Sequence, residues 1–168
     1  MTAPPLLTKR MLVASGCHVN QLLRAERCQV SDALVDPVVK FCLKHRLAMH
    51  LLPCPEVHHS GLGRPPRGRA WYAANGLRAI CVPLATQTAD ELAAFVRTRN
   101  VVVIGVVGIE RSPACSTRQN NPSNYYPSGI FMEELRKEFR RVGLKDVPFI
   151  SITGSTSKMQ QSKLEALL

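Results

Sequence analysis

Three cysteines each follow an apolar run of this sequence. Cys17, Cys54 and Cys115 come shortly after residues 11–15, 47–52 and 101–107. Unbroken apolar runs rich in β-branched residues are typical of strands buried on both faces of a parallel sheet. Cysteine thiolates act as nucleophiles and as soft metal ligands. If the three strand ends meet, the pattern predicts one shared thiol site.

The order of the predicted elements supports such a meeting. Strands are predicted at residues 10–15, 47–52, 101–108 and 147–153, and amphipathic segments lie between them. This alternation predicts a single-domain α/β protein over residues 1–168, a Rossmann-like three-layer sandwich with a central, mostly parallel sheet of four to five strands. Residues 1–9 are predicted to form a loose lead. Such sheets bind ligands at the carboxyl ends of their strands, where all three cysteines fall.

Local signals predict where the helices begin and where loops interrupt them. Asp36 with Pro37, the capping-box pattern at 88–91 and Ser128 are predicted helix starts. Residues 58–69 are rich in proline and glycine, so we predict a long loop that forms neither a helix nor a central strand. Residues 77–84 fit a short strand or a helix, and 116–127 fit a second polar loop.

Composition limits the classes of protein that fit. The chain has 22 Lys and Arg against 12 Asp and Glu, a net charge of +10, which favours anionic partners. Aromatic residues make up only 5%, which argues against a single-strand binder built on stacking. No segment approaches the ~18 consecutive apolar residues of a membrane span, and no signal-type segment is evident. We therefore predict a cytoplasmic protein with no membrane partner, in which six cysteines do not form a disulfide framework.

The cysteines leave several chemistries open. No close cysteine pair is present, so a structural zinc site is disfavoured. Three thiolates from separate strand ends would leave one iron of a [4Fe–4S] cluster open. A phosphatase-like nucleophile is a weaker alternative, because six residues rather than five separate Cys17 from Arg24. Coincidence is also open, since free cysteines are commonly buried, as we predict for Cys42 and Cys81.

Three short motifs carry a resemblance to a known family. They are Gly16-Cys17 with Asn20, then Leu52-Pro53-Cys54-Pro55-Glu56 with Gly61-Leu62 and an arginine-proline loop, then Gly108-Ile109-Glu110-Arg111-Ser112-Pro113-Ala114-Cys115. In these motifs the chain resembles the TudS family of thiouracil desulfidases, and it is most similar to the shorter TudS-related branch. The similarity covers roughly residues 10 to 152.

The resemblance implies a cofactor and a reaction. Cys17, Cys54 and Cys115 would hold a [4Fe–4S] cluster whose fourth iron binds the sulfur of a small thiolated substrate. Glu56 would move protons or activate water, and Ser112 would position the substrate or share the proton transfer. Water would replace sulfur without a redox change, and sulfide would leave.

Further positions are implied to line the substrate site. His18, Asn20 and Arg64 are the predicted substrate-binding residues, and Arg64 with its neighbouring arginines would hold a phosphate. Together with the net charge, this favours a thiolated nucleotide or tRNA as well as a free base. The family has glycine where this chain has Ser116, which requires a negative φ at Ser116 or a shifted loop. A cluster-bearing binding or sulfide-carrying module without turnover remains the alternative.

Overall fold

A computed structural model describes residues 8–117, 127–153 and 157–168. Its strands form one sheet in the order β2-β1-β3-β4, and every neighbouring pair is parallel. The strands are β1 (Arg10–Ser15), β2 (Ala48–Leu52), β3 (Val102–Ile109) and β4 (Phe149–Ile152). The predicted α/β sandwich is confirmed, with a sheet of four strands in the part of the chain that the structure describes.

Helices cover both faces of the sheet. The helices are α1 (Asp36–His45), α2 (Pro55–Ser60), α3 (Arg69–Ala74), α4 (Leu77–Arg99), α5 (Ile130–Arg141) and α6 (Lys158–Glu165). One core packs α3, α4 and α5 against side chains such as Met11 and Val13 of β1. The other packs α1 and α6 against the alternate residues Leu12 and Ala14. Burial of both faces is the reason that these strands are continuously apolar.

The sheet has a switch point in its strand order between β1 and β3. The connection from β1 leads outward to β2, and the chain then returns to place β3 on the other side of β1. In sheets of this kind the crevice at the carboxyl ends of the strands beside such a switch point is where ligands bind. Within the described ranges, no helix has both the length and the apolar character needed to cross a membrane.

The prediction that residues 58–69 form no helix is wrong at both ends, since α2 extends through Ser60 and α3 begins at Arg69. Helix α2 includes His58, His59 and Ser60, and it ends at Gly61, whose φ is 80°. Pro55 stands in the first turn of α2, where its missing N–H costs nothing, so the helix begins before the predicted loop and continues into it.

The predicted helix start at residues 88–91 is also wrong. Helix α4 runs continuously from Leu77 through Pro83, so the ambiguous stretch at 77–84 is helical. Thr88 lies inside this helix, where its hydroxyl donates to the Leu84 carbonyl at 2.8 Å. The same hydroxyl that suits an N-cap can bond the preceding turn, and sequence pattern alone does not separate these cases.

Ser128 does not cap α5, and Val35 rather than Asp36 occupies the N-cap position of α1. Gly129 is the N-cap residue of α5. The first amides of α5 instead donate to the loop after β3: Ile130 N to Pro113 O at 3.0 Å, and Phe131 N to Ala114 O at 3.1 Å. Tertiary carbonyls thus satisfy donors that a side-chain cap usually satisfies.

Two glycines allow the loop after β3 to pack this closely. A Cβ on Gly108 would lie 2.1 Å from the Cys115 carbonyl oxygen, and a Cβ on Gly129 would lie 2.2 Å from the Ala114 carbonyl oxygen. Both contacts involve backbone, which cannot give way cheaply. These glycines therefore fix the position of Cys115 between β3 and α5. The predicted loop at 116–127 lies outside the described residues over 118–126, as do residues 1–7 of the predicted lead.

Candidate functional site

The three predicted ligand cysteines lie at one edge of the sheet. Cys17 lies in a 3₁₀ turn (Gly16–His18) directly after β1, and Cys54 is the N-cap residue of α2, two positions after β2. Cys115 follows β3, and its carbonyl accepts the Ile109 amide at 3.0 Å. Since β2, β1 and β3 are neighbours, their carboxyl ends bring these cysteines to the crevice beside the switch point.

A cavity of about 390 Å³ opens at this edge. This volume lies within the range of small-molecule sites, roughly 300–1,000 Å³. The residues that line it include all three cysteines, both predicted catalytic residues and several arginines: Cys17, Leu23, Arg24, Ala25, Cys28, Cys54, Glu56, Arg64, Pro66, Arg67, Ile109, Glu110, Arg111, Ser112, Pro113 and Cys115.

The thiols of the site influence one another's ionisation. Burial raises the pKa of Cys17 to about 12, opposed by the charge of Arg24 and reinforced by Cys54 and Glu56. Burial also raises the pKa of Cys115 well above its ordinary value, and the charges of Cys54, Cys17 and Glu56 raise it further. Three thiolates in this cavity therefore repel one another unless a cation binds among them.

Cys17, Cys54 and Cys115 supply three sulfur donors to the cavity. Within the described ranges, no group of three or more His, Cys, Asp or Glu side chains is arranged to hold one metal ion. In a [4Fe–4S] cluster, each cysteine ligand binds a different iron. Three sulfur donors from three strand ends fit such a group in chemistry, because soft thiolates are the usual ligands of iron–sulfur clusters.

Glu56 is a buried carboxylate beside these thiols. Glu56 lies on α2 two residues after Cys54, and its Oε2 accepts from Arg64 Nη2 at 3.2 Å and Nε at 3.3 Å. The Tyr72 hydroxyl, also buried, lies 3.5 Å from the same oxygen. Both members of the Glu56–Arg64 pair are buried, so removal of either would leave an uncompensated charge.

Arg64 joins the carboxylate to the rest of the site. Its Nη2 also donates to the Leu23 carbonyl at 2.9 Å and lies 3.8 Å from the Cys54 sulfur. Burial lowers the pKa of Arg64, but the charges of Cys54 and Glu56 outweigh that effect and raise it. The guanidinium is therefore a permanent cation beside one thiol and one carboxylate.

Ser112 links Glu56 to the loop that carries Cys115. Its hydroxyl donates to Glu56 Oε1 at 3.4 Å and accepts the Cys115 amide at 2.9 Å and the Ala114 amide at 3.3 Å. Ser116, where the similar family has glycine, is outside the left-handed region. Its backbone accepts the Gly129 amide at 2.7 Å. The turn therefore forms without a glycine at this position.

Two predicted substrate-binding residues lie away from the cavity lining. His18 is fully buried, and neither of its ring nitrogens makes a hydrogen bond of good geometry, although they lie near the backbone of Val107 and Gly108. Burial lowers its pKa to about 4. Asn20 is exposed, and its side chain accepts the Leu22 amide at 3.1 Å, which caps the next 3₁₀ turn. Both residues shape the loop after β1.

Comparison with known proteins gives a distant relative. No family model matches the chain, and no solved structure matches it. The chain is similar to uncharacterized protein MJ0003 of Methanocaldococcus jannaschii, with 25% identity over 136 residues, which cover 81% of each chain. The printed name of this relative states no activity.

The arginines around the cavity differ from the set that the sequence indicates. Arg67 lines the cavity and lies over the Trp71 ring at 5.2 Å, and Arg24 and Arg111 line it as well. Arg69, in contrast, donates to the Ser128 carbonyl and to Glu133. Arg24 follows β1 by several irregular residues, so no periodic pattern marks its approach to Cys17.

Cys28 also lines the cavity, although the sequence did not predict it to belong to the site. It lies in the irregular segment between the 3₁₀ turn at Gln21–Leu23 and α1, and it is partly exposed. No apolar run precedes it, so the strand-end pattern does not include it. Cys42 and Cys81 are buried in the two cores, as predicted.

Proposed function

We propose that this protein is a [4Fe–4S]-dependent, non-redox desulfidase that removes sulfur, as sulfide, from a thiolated nucleobase, nucleotide or similar small compound. The observation that carries the proposal is the convergence of three strand-end cysteines with a buried carboxylate in one cavity. The motif resemblance to thiouracil desulfidases agrees with this convergence.

Cys17, Cys54 and Cys115 are the residues that would hold the cluster. When bound, the cluster supplies an open, soft Lewis-acidic iron that prefers sulfur to oxygen and polarises a C=S bond. The overall reaction consumes one water and exchanges C=S for C=O, so hydrogen sulfide leaves and no electrons are transferred. The reducing cytoplasm is the compartment that suits these thiols.

Glu56 is the proposed general base. Arg64 and Tyr72 engage its Oε2, while its Oε1 faces Ser112 at the cavity. A carboxylate held on one oxygen keeps the other available to take a proton from the attacking water. The same carboxylic acid can then return the proton to the departing sulfur.

Ser112 is proposed to orient this carboxylate and to share in the proton transfer. Its two acceptor contacts with loop amides leave its own O–H as the donor toward Glu56. A hydroxyl fixed in this way costs little reorganisation when the proton moves.

The cavity arginines favour an anionic substrate such as a thiolated nucleotide or a thiolated tRNA. Arg64 is engaged with Glu56, so Arg24 and Arg67 are better placed than Arg64 to contact a phosphate. The net charge of +10 acts in the same direction.

A binding module without turnover is the second candidate. The observation that favours it is the buried Glu56–Arg64 ion pair, which would compete with proton transfer by Glu56. A phosphatase-like nucleophile is less favoured, because burial raises the pKa of Cys17 to about 12 and keeps its thiol protonated at neutral pH.

Sulfide release separates these candidates. Protein reconstituted with iron and sulfide without oxygen is incubated with 2-thiouracil and with a thiolated uridine monophosphate. We expect sulfide to appear with wild type and with Arg69→Ala, but not with Glu56→Gln. A wild-type protein that binds the cluster and releases no sulfide from any thiolated base or nucleotide would favour the binding module.

A further inference from the structure

Four of the six cysteines line one cavity. Cys28 lines it together with the three predicted ligands, whereas Cys42 and Cys81 lie in the two cores. The three predicted ligands follow strands, but Cys28 belongs to an irregular segment. It is therefore the one thiol of the cavity that is not attached to the rigid end of a strand.

Local backbone geometry directs Cys28 toward this site. The preceding residue, Arg27, has a φ of 58°, and the Cys28 amide donates to the Ala25 carbonyl at 3.0 Å to close a turn. A residue other than glycine in the left-handed region is strained, and such strain clusters at functional sites.

Three hydrogen bonds connect this segment to residues of the proposed active site, two through the side chain of Gln21 and one through the backbone of Glu26. Gln21 is buried; its side-chain Nε2 donates to the Cys17 carbonyl, and its Oε1 accepts the Val30 backbone amide at 2.9 Å. The Glu26 amide donates to the Arg64 carbonyl at 3.1 Å. The segment between these anchors carries Cys28 at the cavity.

We propose that Cys28 is a reversible fourth ligand that caps the open iron when substrate is absent, an inference that rests on the proposed function. Cys28 would give its thiol proton to water on binding the iron. It would regain a proton when the sulfur of a thiolated substrate takes its place. This is an exchange of ligands, so no electrons are transferred.

The physical advantage of such a cap is protection. A soft thiolate competes well for an iron that otherwise takes water or oxygen, and its attachment to the same chain gives it a high effective concentration. A thiocarbonyl sulfur is also soft, so substrate can displace the thiolate where water cannot.

Alkylation of Cys28 tests the proposal on the wild-type chain. A short pulse of iodoacetamide, followed by peptide mass spectrometry, compares apoprotein with protein reconstituted without oxygen. We expect Cys28 to react roughly tenfold more slowly in the reconstituted protein, because a metal-bound thiolate is a poor nucleophile. Added 2-thiouracil should restore the fast rate. Cys54→Ser should react at the rate of the apoprotein.

Spectroscopy separates a bond to iron from simple shielding. The visible absorption of reconstituted Cys28→Ala should differ from that of wild type, and its iron should be lost several-fold faster in air. Cys42→Ala should match wild type in both. A protein that holds iron and sulfide, yet alkylates Cys28 at the apoprotein rate or keeps the wild-type absorption in Cys28→Ala, overturns this inference alone. A chain that takes up no iron overturns the proposed function as well.

Discussion

The hydroxyl of Ser112 lies 3.4 Å from Oε1 of Glu56, although 56 positions of chain separate the two residues. One follows β3 and the other lies on α2, and the contact joins the loop of one proposed ligand cysteine to the carboxylate beside another. The same hydroxyl accepts the Cys115 amide at 2.9 Å. A single side chain thus contacts both the proposed general base and the loop of a proposed ligand.

Replacing Ser112 with alanine should weaken both functions of this contact. The Cys115 and Ala114 amides would lose their acceptor, so we expect Ser112→Ala to lower the free energy of unfolding by about 1–3 kcal/mol and to reduce sulfide release. Urea unfolding and a sulfide assay measure these effects. Ser112→Thr keeps the hydroxyl and should recover part of both. Ser162→Ala, at an exposed position of α6, should change stability by less than about 0.5 kcal/mol. A Ser112→Ala variant with wild-type stability and wild-type sulfide release would refute this role.

The Glu56–Arg64 pair should be sensitive to removal of one partner. Arg64→Met leaves the Glu56 carboxylate buried without its cation, so we expect a loss of about 3–5 kcal/mol in the free energy of unfolding.

Glu56→Gln keeps the shape and should lower the rate of desulfidation by roughly 10²–10⁴-fold if Glu56 is the general base. Iron content should stay at the wild-type level in Glu56→Gln. Wild-type turnover in that variant would show that another group moves the proton.

Gly108 and Gly129 should tolerate no side chain. Because a Cβ at either position meets backbone near 2 Å, Gly108→Ala and Gly129→Ala should displace the Cys115 loop and reduce iron incorporation. Gly63→Ala is the matched control, since nothing lies within 4 Å of its added Cβ. Iron analysis after anaerobic reconstitution compares the three variants. Equal iron content in all three would mean that the loop after β3 does not require this close packing.

Sequence pattern was sufficient for the parallel sheet and for the edge at which the cysteines meet. Continuous apolar runs gave β1 and β3 because both faces of these strands are buried, and parallel topology then places Cys17 and Cys115 together. Residues that approach through irregular backbone, such as Arg24 and Cys28, carry no periodic signal. No sequence pattern indicates that His18 is buried away from the cavity lining, because tertiary packing rather than local sequence covers the turn after β1.

His18 should make stability depend on pH in the apoprotein. Its folded pKa is about 4 against an ordinary value of 6.5. The contribution of His18 to the free energy of unfolding is therefore fully present above pH 6.5 and is lost as the pH falls toward 4. The loss is up to about 1.4 kcal/mol per pH unit, because only the unfolded chain binds the proton in this range. Urea unfolding at a series of pH values should show that the free energy of unfolding falls less steeply with decreasing pH in His18→Gln than in wild type. His50, whose pKa burial also lowers, is retained in both proteins. If the free energy of unfolding depends on pH equally in both proteins, His18 is not a buried neutral histidine.

Purification without oxygen tests the central claim most directly, with iron, acid-labile sulfide and sulfide release from 2-thiouracil measured on one preparation. We predict iron and sulfide in equal amounts, matching one [4Fe–4S] cluster per chain, together with release of sulfide from substrate. Cys17→Ser, Cys54→Ser and Cys115→Ser should each lose both properties, whereas Cys42→Ser should keep them. A colourless chain that takes up no iron on reconstitution, or a Cys54→Ser variant that keeps its cluster and its turnover, would contradict the account.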